Sequence, residues 1–169
     1  IADRALAADN ALRPSDAQVI GAVARAAGDK GTVVCAAGGL PGELHKLWRA
    51  SNTSAYHLEY GYSCMGYEIA GGLGVKMALP DREVFVMVGD GSYLMMNSEI
   101  ATSVALGRKL IITVLDNGGF GCIRRLQTGT GGAPFNNLFE DLPETEPVGV
   151  DFVAHAASLG AISERVTGI

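Results

Sequence analysis

The sequence predicts an α/β domain, a three-layer α/β/α sandwich around a mainly parallel sheet. Three observations point there. Two short runs, 84–88 and 110–115, are apolar at nearly every position, as strands buried on both faces are. Stretches with apolar residues at helical spacing separate the strand-like runs, and this alternation builds βα units with right-handed crossovers. Glycine supplies 23 of 169 residues, about twice the usual ~7%, and gathers at the predicted strand ends. With 48% hydrophobic residues and no Gly-x-y period, the chain is neither collagen-like nor disordered.

The elements follow in order. Ser15, after Pro14, is a helix-start signal and candidate N-cap, and Val19, Ile20, Val23 and Ala24 recur at helical spacing until Gly28. Residues 32–37 form a short strand ending in Gly38-Gly39-Leu40-Pro41-Gly42, a turn-rich loop before a second helix over 43–49. The segment 61–65 opens a helix over 66–79, helical by pattern despite Gly71, Gly72 and Gly74. Residues 83–88 are a buried strand, and Gly89-Asp90-Gly91-Ser92 its turn. A helix over 93–106, a strand over 109–115, a turn over 116–121 and a short helix over 122–126 come next. Residues 128–147 lack periodicity and are rich in Gly, Pro and Thr, which marks a long surface excursion of the kind used as a lid or partner contact. A helix over 151–159 and a last strand over 161–166 complete the pattern. Residues 1–14 read as a linker from an upstream domain, and 15–169 as one domain cut short at its C-terminus.

Composition excludes several classes. A net charge of −5, with adjacent basic residues only at Arg108-Lys109 and Arg124-Arg125, argues against a nucleic-acid partner. Cys35, Cys64 and Cys122 are odd in number and far apart, which fits a reducing cytoplasm better than a disulfide scaffold. No apolar run approaches a membrane span, and no signal-peptide pattern opens the chain. The dinucleotide pattern Gly-x-Gly-x-x-Gly fails because position 94 is Leu, and the P-loop pattern is absent. His45, His57 and His155 show no zinc spacing, and Ser92 lacks the flanks of a hydrolase nucleophile.

Two strand-end turns remain. Gly89-Asp90-Gly91-Ser92 is followed by Asp116-Asn117-Gly118-Gly119, with Asn117 placed 27 positions after Asp90. A lone Gly-Asp-Gly is an ordinary tight turn. Paired with the Asn at the next strand end, it offers a carboxylate, an amide oxygen and a backbone carbonyl, a hard oxygen set suited to Mg²⁺ and the phosphates it bridges. N–H groups after the same turns suit phosphate oxygens.

Gly89-Asp90-Gly91, then 24 residues, then Asp116-Asn117 resembles the cofactor signature of thiamin-diphosphate enzymes. The resemblance runs through nearly the whole chain, as the diphosphate-binding domain of such enzymes. It implies thiamin diphosphate and Mg²⁺ as cofactors, with the metal held by Asp90, Asn117 and the Gly119 carbonyl. The turn Gly89, Asp90, Gly91 and Ser92, together with Gly121 and Cys122, would contact the diphosphate, and Leu40 is a further contact. Gly61-Tyr62-Ser63-Cys64-Met65-Gly66 resembles the pyrimidine-holding stretch: the Ser63 carbonyl accepts from the aminopyrimidine, and Met65 donates its amide to the ring and wedges the cofactor with its side chain. By itself such a Met is ordinary core filling.

Within the family, the string from Tyr56 to Glu68 and Phe120-Gly121-Cys122-Ile123 look most like the enzymes of inositol catabolism that open a polyol-derived cyclic 1,2-dione by C–C hydrolysis. Acetolactate-synthase-like carboligases, 2-oxoacid decarboxylases and a non-catalytic subunit-contact module stay open. His57 and Glu59 have two readings, as cavity lining or as the closure of a helix cap. In the family, the glutamate that activates the cofactor lies on a separate pyrimidine domain of a neighbouring subunit. The resemblance therefore implies no catalytic residue in this chain, an inactive isolated fragment, and a homodimer or homotetramer in the full-length enzyme.

Overall fold

The computed structural model describes residues 14–142 and 149–169; residues 1–13 of the expected linker and the stretch 143–148 of the long excursion lie outside them. Helix α1 (Asp16–Ala27) starts at Ser15, whose hydroxyl and the Gln18 side chain form a reciprocal capping box. A single 3₁₀ turn (Gly28–Lys30) leads into β1 (Gly31–Cys35), buried at every position. Helix α2 (Leu40–Leu47) starts three residues before the expected position, because Pro41 falls in its first turn, where a missing N–H costs nothing. A short strand that the pattern did not announce, β2 (Tyr56–Leu58), precedes α3 (Tyr67–Ala78) and β3 (Glu83–Gly89).

The single helix expected over 93–106 is two, α4 (Asp90–Met95) and α5 (Glu99–Ala105). The break falls at Met96-Asn97-Ser98. The Asn97 amide turns back to the Leu94 carbonyl (3.3 Å), while the Asn97 and Ser98 carbonyls accept from Ile100 and Ala101 as a new helix begins. Asn and Ser compete with the helical ladder in this way. Strand β4 (Ile111–Leu115), α6 (Gly121–Gly129), a 3₁₀ turn (Phe139–Asp141) and α7 (Phe152–Ser158) follow, the last capped by the Asp151 carboxylate on the Val153 and Ala154 amides. Helix α6 is longer than the expected 122–126.

The four strands form one parallel sheet in the order β2-β1-β3-β4. Register pairs Val33 with Phe85 and Val86 with Ile112. Residues alternate between the two faces. Val34, Val84, Val86 and Val88 pack with Ile69, Tyr93 and Ile100 on one side, while Val33, Cys35 and Met87 pack with Ile20, Leu40 and Leu44 on the other. Helices thus cover both faces, and the expected three-layer α/β/α sandwich is what forms.

The expected strand over 161–166 does not form. Gly160 turns the chain at φ +88°, Ala161 N–H donates to the Ala156 carbonyl, and the Ser163 hydroxyl donates to the Val153 carbonyl (2.8 Å). The segment doubles back along α7 and never reaches the edge of β4, so Ile162 and Val166 face solvent.

Candidate functional site

The strand order reverses at β1: its successor β2 lies on one side and β3 on the other. In open α/β sheets, the crevice beyond the strand ends at such a switch point is where ligands bind. A cavity of about 300 Å³ opens there, lined by the segments after β1, β3 and β4. Leu40, Ser63, Met65, Gly89, Asp90, Gly91, Ser92, Asn117, Gly119, Gly121 and Cys122 all line it. The structure therefore brings every candidate site residue to one place.

Asp90 is the first residue of α4 and only 2% exposed. Its Oδ2 accepts from Gly119 N–H at 2.7 Å, which ties the β3 turn to the β4 turn. Its Oδ1 is buried with no partner. Burial pushes the Asp90 carboxyl above the usual range, opposed by backbone N–H groups at Gly91 and Gly119 and reinforced by the Asp116 charge. An orphaned buried carboxylate oxygen in a cavity that Asn117 and Gly119 also line fits a hard divalent cation, whose charge would reverse that cost. Among the described residues no three His, Cys, Asp or Glu side chains cluster, and a metal here would need the mixed donor set of Asp90, Asn117 and Gly119.

The β4 turn is held from outside. Gly118 N–H donates to Asp116, and Gly119 pairs in an antiparallel bridge with Leu138, through Phe120 N–H to the Asn137 carbonyl (2.7 Å) and Phe139 N–H to the Gly118 carbonyl (2.9 Å). The described part of the long excursion is thus a brace behind the turn. Gly119 sits at φ +136°, and a Cβ there would lie 2.6 Å from the Asn137 carbonyl oxygen, so only glycine fits. The Asn117 amide packs on Gly121, where a Cβ would meet Oδ1 at 3.1 Å.

Three readings become more specific. Ser92 is buried, and its hydroxyl donates to Glu68 Oε2 (2.7 Å), so its proton is committed and only its backbone N–H is left to offer an anion. His57 and Glu59 do not line the cavity. His57 Nε2 pairs with the Tyr67 hydroxyl at 2.7 Å, its ring stacked on the tyrosine. Glu59 accepts from Tyr62 and Cys64 N–H (3.0 and 2.8 Å), bonds that hold its carboxyl below the ordinary value and close the 59–64 loop rather than a helix cap. Met65 belongs to neither core cluster; its Cε lies 3.6 Å from where a Gly91 Cβ would be, beside the Phe120 ring. Ser63 takes a positive φ (+52°), a strained setting for a residue with a side chain.

Sequence reasoning missed Glu68 and Arg125. Arg125 lines the cavity, with its guanidinium against Gly39. Glu68, 0% exposed, sits behind the cavity. A Glu early in a helix looks like any solvated first-turn acid, and only its place among glycine turns could have flagged it.

The family model described as "Thiamine pyrophosphate enzyme, C-terminal TPP binding domain" matches residues 36–168. The chain belongs to this family. This thiamine pyrophosphate enzyme domain is 45% identical over 138 residues to 3D-(3,5/4)-trihydroxycyclohexane-1,2-dione hydrolase of Shouchella clausii, covering 82% of the chain and 22% of the relative. It is 45% identical to 3D-(3,5/4)-trihydroxycyclohexane-1,2-dione hydrolase 2 of Bacillus cereus, covering 89% and 24%. Among solved structures, a thiamine diphosphate-dependent 4-hydroxybenzoylformate decarboxylase of Rhodococcus jostii superposes with a TM-score of 0.73 at 22% identity, over 89% of this chain and 27% of that one, a likeness of fold. The domain therefore spans about a quarter of these relatives. Among the described residues no helix is long and apolar enough to cross a membrane.

Proposed function

We propose that this chain forms the diphosphate- and Mg²⁺-holding half of the active site of a cytoplasmic enzyme that opens 3D-(3,5/4)-trihydroxycyclohexane-1,2-dione to 5-deoxy-D-glucuronate in myo-inositol catabolism. One observation carries the reading. The residues of the paired-turn motif converge on a single cavity at the switch point, in a chain 45% identical to enzymes named for that dione.

Asp90, the Asn117 side chain and the Gly119 carbonyl hold Mg²⁺, and the unpartnered Asp90 Oδ1 supports that role. Backbone N–H groups of Gly91, Ser92, Gly121 and Cys122 bind the diphosphate, with Leu40 packing beside it. Ser63 and Met65 would hold the pyrimidine, with the Met65 side chain packed beside Gly91 where it would support the bound cofactor. Thiamin diphosphate, when bound, supplies the nucleophile for a carbonyl and the electron sink for breaking the adjacent C–C bond. This chain positions that chemistry, and the catalytic glutamate comes from a pyrimidine domain of a neighbouring subunit in a homodimer or homotetramer.

Product analysis of the full-length enzyme with thiamin diphosphate, Mg²⁺ and the dione tests the reading. Ring-opened acid is expected. Acetolactate from pyruvate, with the dione untouched, would overturn it in favour of a carboligase, and absence of Mg²⁺-dependent cofactor binding would leave a subunit-contact module.

A further inference from the structure

Three turns around the cavity meet at a buried carboxylate that no motif assigns. Glu68, the second residue of α3, faces donors from three separate segments. Its Oε1 accepts from Ala37 N–H just past β1 (3.2 Å), and its Oε2 accepts from Gly66 N–H before α3 (3.1 Å) and from the Ser92 hydroxyl in α4 (2.7 Å). Gly66 N–H also reaches Ser92 Oγ (2.7 Å), which closes the set. Ala37, Met65 beside Gly66, and Ser92 line the cavity, whereas Glu68 does not.

Stability does not account for a carboxylate in this place. Taking it out of water is costly even when it is well bonded, and apolar replacements of buried charges are often neutral or better. The two apolar clusters on either face of the sheet form without it. A hydrogen-bonded network adds direction, which burial of apolar surface lacks. Here the direction is imposed on the ends of β1 and β3 and on the turn before α3, the segments whose mutual spacing defines the cavity.

We propose that Glu68 is a positioning residue: its carboxylate locks these three turns into the arrangement that receives the cofactor, and so sets cofactor affinity without touching the cofactor. The proposal rests on the cavity being the thiamin diphosphate site. It also accounts for the fate of Ser92, whose proton is spent on the lock rather than on the ligand.

The test uses the full-length enzyme. Calorimetric titration with thiamin diphosphate at saturating Mg²⁺ is compared between wild type and Glu68→Gln, which keeps the shape but replaces one acceptor oxygen by a donor. Kd is expected to rise about ten-fold or more, the usual cost of losing such an outer partner. At saturating cofactor, kcat should stay within about three-fold, because nothing that touches substrate has changed. Hydrogen exchange of the apo enzyme should quicken in 36–42, 61–66 and 90–95 but not in β3. Ser92→Ala removes one arm and should raise Kd by a smaller factor. An unchanged Kd with a lower melting temperature makes Glu68 a stability residue and overturns the proposal. Should Glu68→Gln fail to fold, Ser92→Ala decides, and an unchanged Kd there overturns it. A wild-type enzyme that binds no cofactor defeats the functional reading itself, before any variant is compared.

Discussion

Asp90 is where the residue scale is most exposed to test. Its Oδ1 is buried without a partner, so in the metal-free protein the cost of that burial offsets the support its Oδ2 gives through Gly119 N–H. Asp90→Ala should therefore shift the apo melting temperature by less than about 4 °C, roughly 1 kcal/mol for a domain this size, while abolishing Mg²⁺-dependent stabilisation by thiamin diphosphate in calorimetry. A lost melting transition, or retained metal-dependent stabilisation, would contradict this. Asp90, Asn117 and Gly119 were legible because their spacing is tied to two consecutive strand ends. Glu68 was not, because its role depends on Ala37 and Ser92, 31 and 24 positions away. His57 was ambiguous for the same reason: its partner Tyr67 lies across a loop.

Turns and helix contacts can be separated at the scale of elements by two glycines with different duties. Gly119 has φ +136° and stands against the Asn137 carbonyl, so Gly119→Ala must distort the turn that carries a proposed metal ligand. It should weaken cofactor binding in the full-length enzyme, with strain on the order of 1–3 kcal/mol. Gly72 lets α3 close on Val86, which is fully buried and has no room to move. Gly72→Ala should lower the melting temperature by an overpacking cost of about 1–3 kcal/mol and leave Kd for the cofactor unchanged in the folded fraction. If both variants moved Kd and stability alike, the turn would have no duty separate from packing. The central strands β1 and β3 were readable because both faces are covered and their inner runs, Val33–Cys35 and Val84–Val88, are apolar throughout. Strand β2 has three residues, all half-buried at an edge, and carries too little pattern to announce itself. The segment after Gly160 misled because β-branched residues suit a strand only when a neighbour offers a free edge, and this segment bonds to α7 instead.

For the whole molecule, the decisive feature is the open side of the cavity. Phe120, Ile123, Leu126 and Tyr60 line it and are 41%, 51%, 61% and 53% exposed. Large apolar side chains grouped beside a cavity mark a surface that another surface covers. A cofactor seated here would keep one face toward water, so the 169-residue chain alone should bind thiamin diphosphate more weakly than the full-length enzyme does. The same rim should drive the purified chain to self-associate, visible in sedimentation velocity as a species heavier than its 17.5 kDa that dissociates on dilution. Because the driving force is apolar, raising the salt concentration should not dissolve the association, whereas Ile123→Glu should, by placing a charge on the exposed face of α6. A chain that stays monomeric at high concentration and binds the cofactor as tightly as the full-length enzyme would mean that the rim needs no cover and that the half-site is already whole.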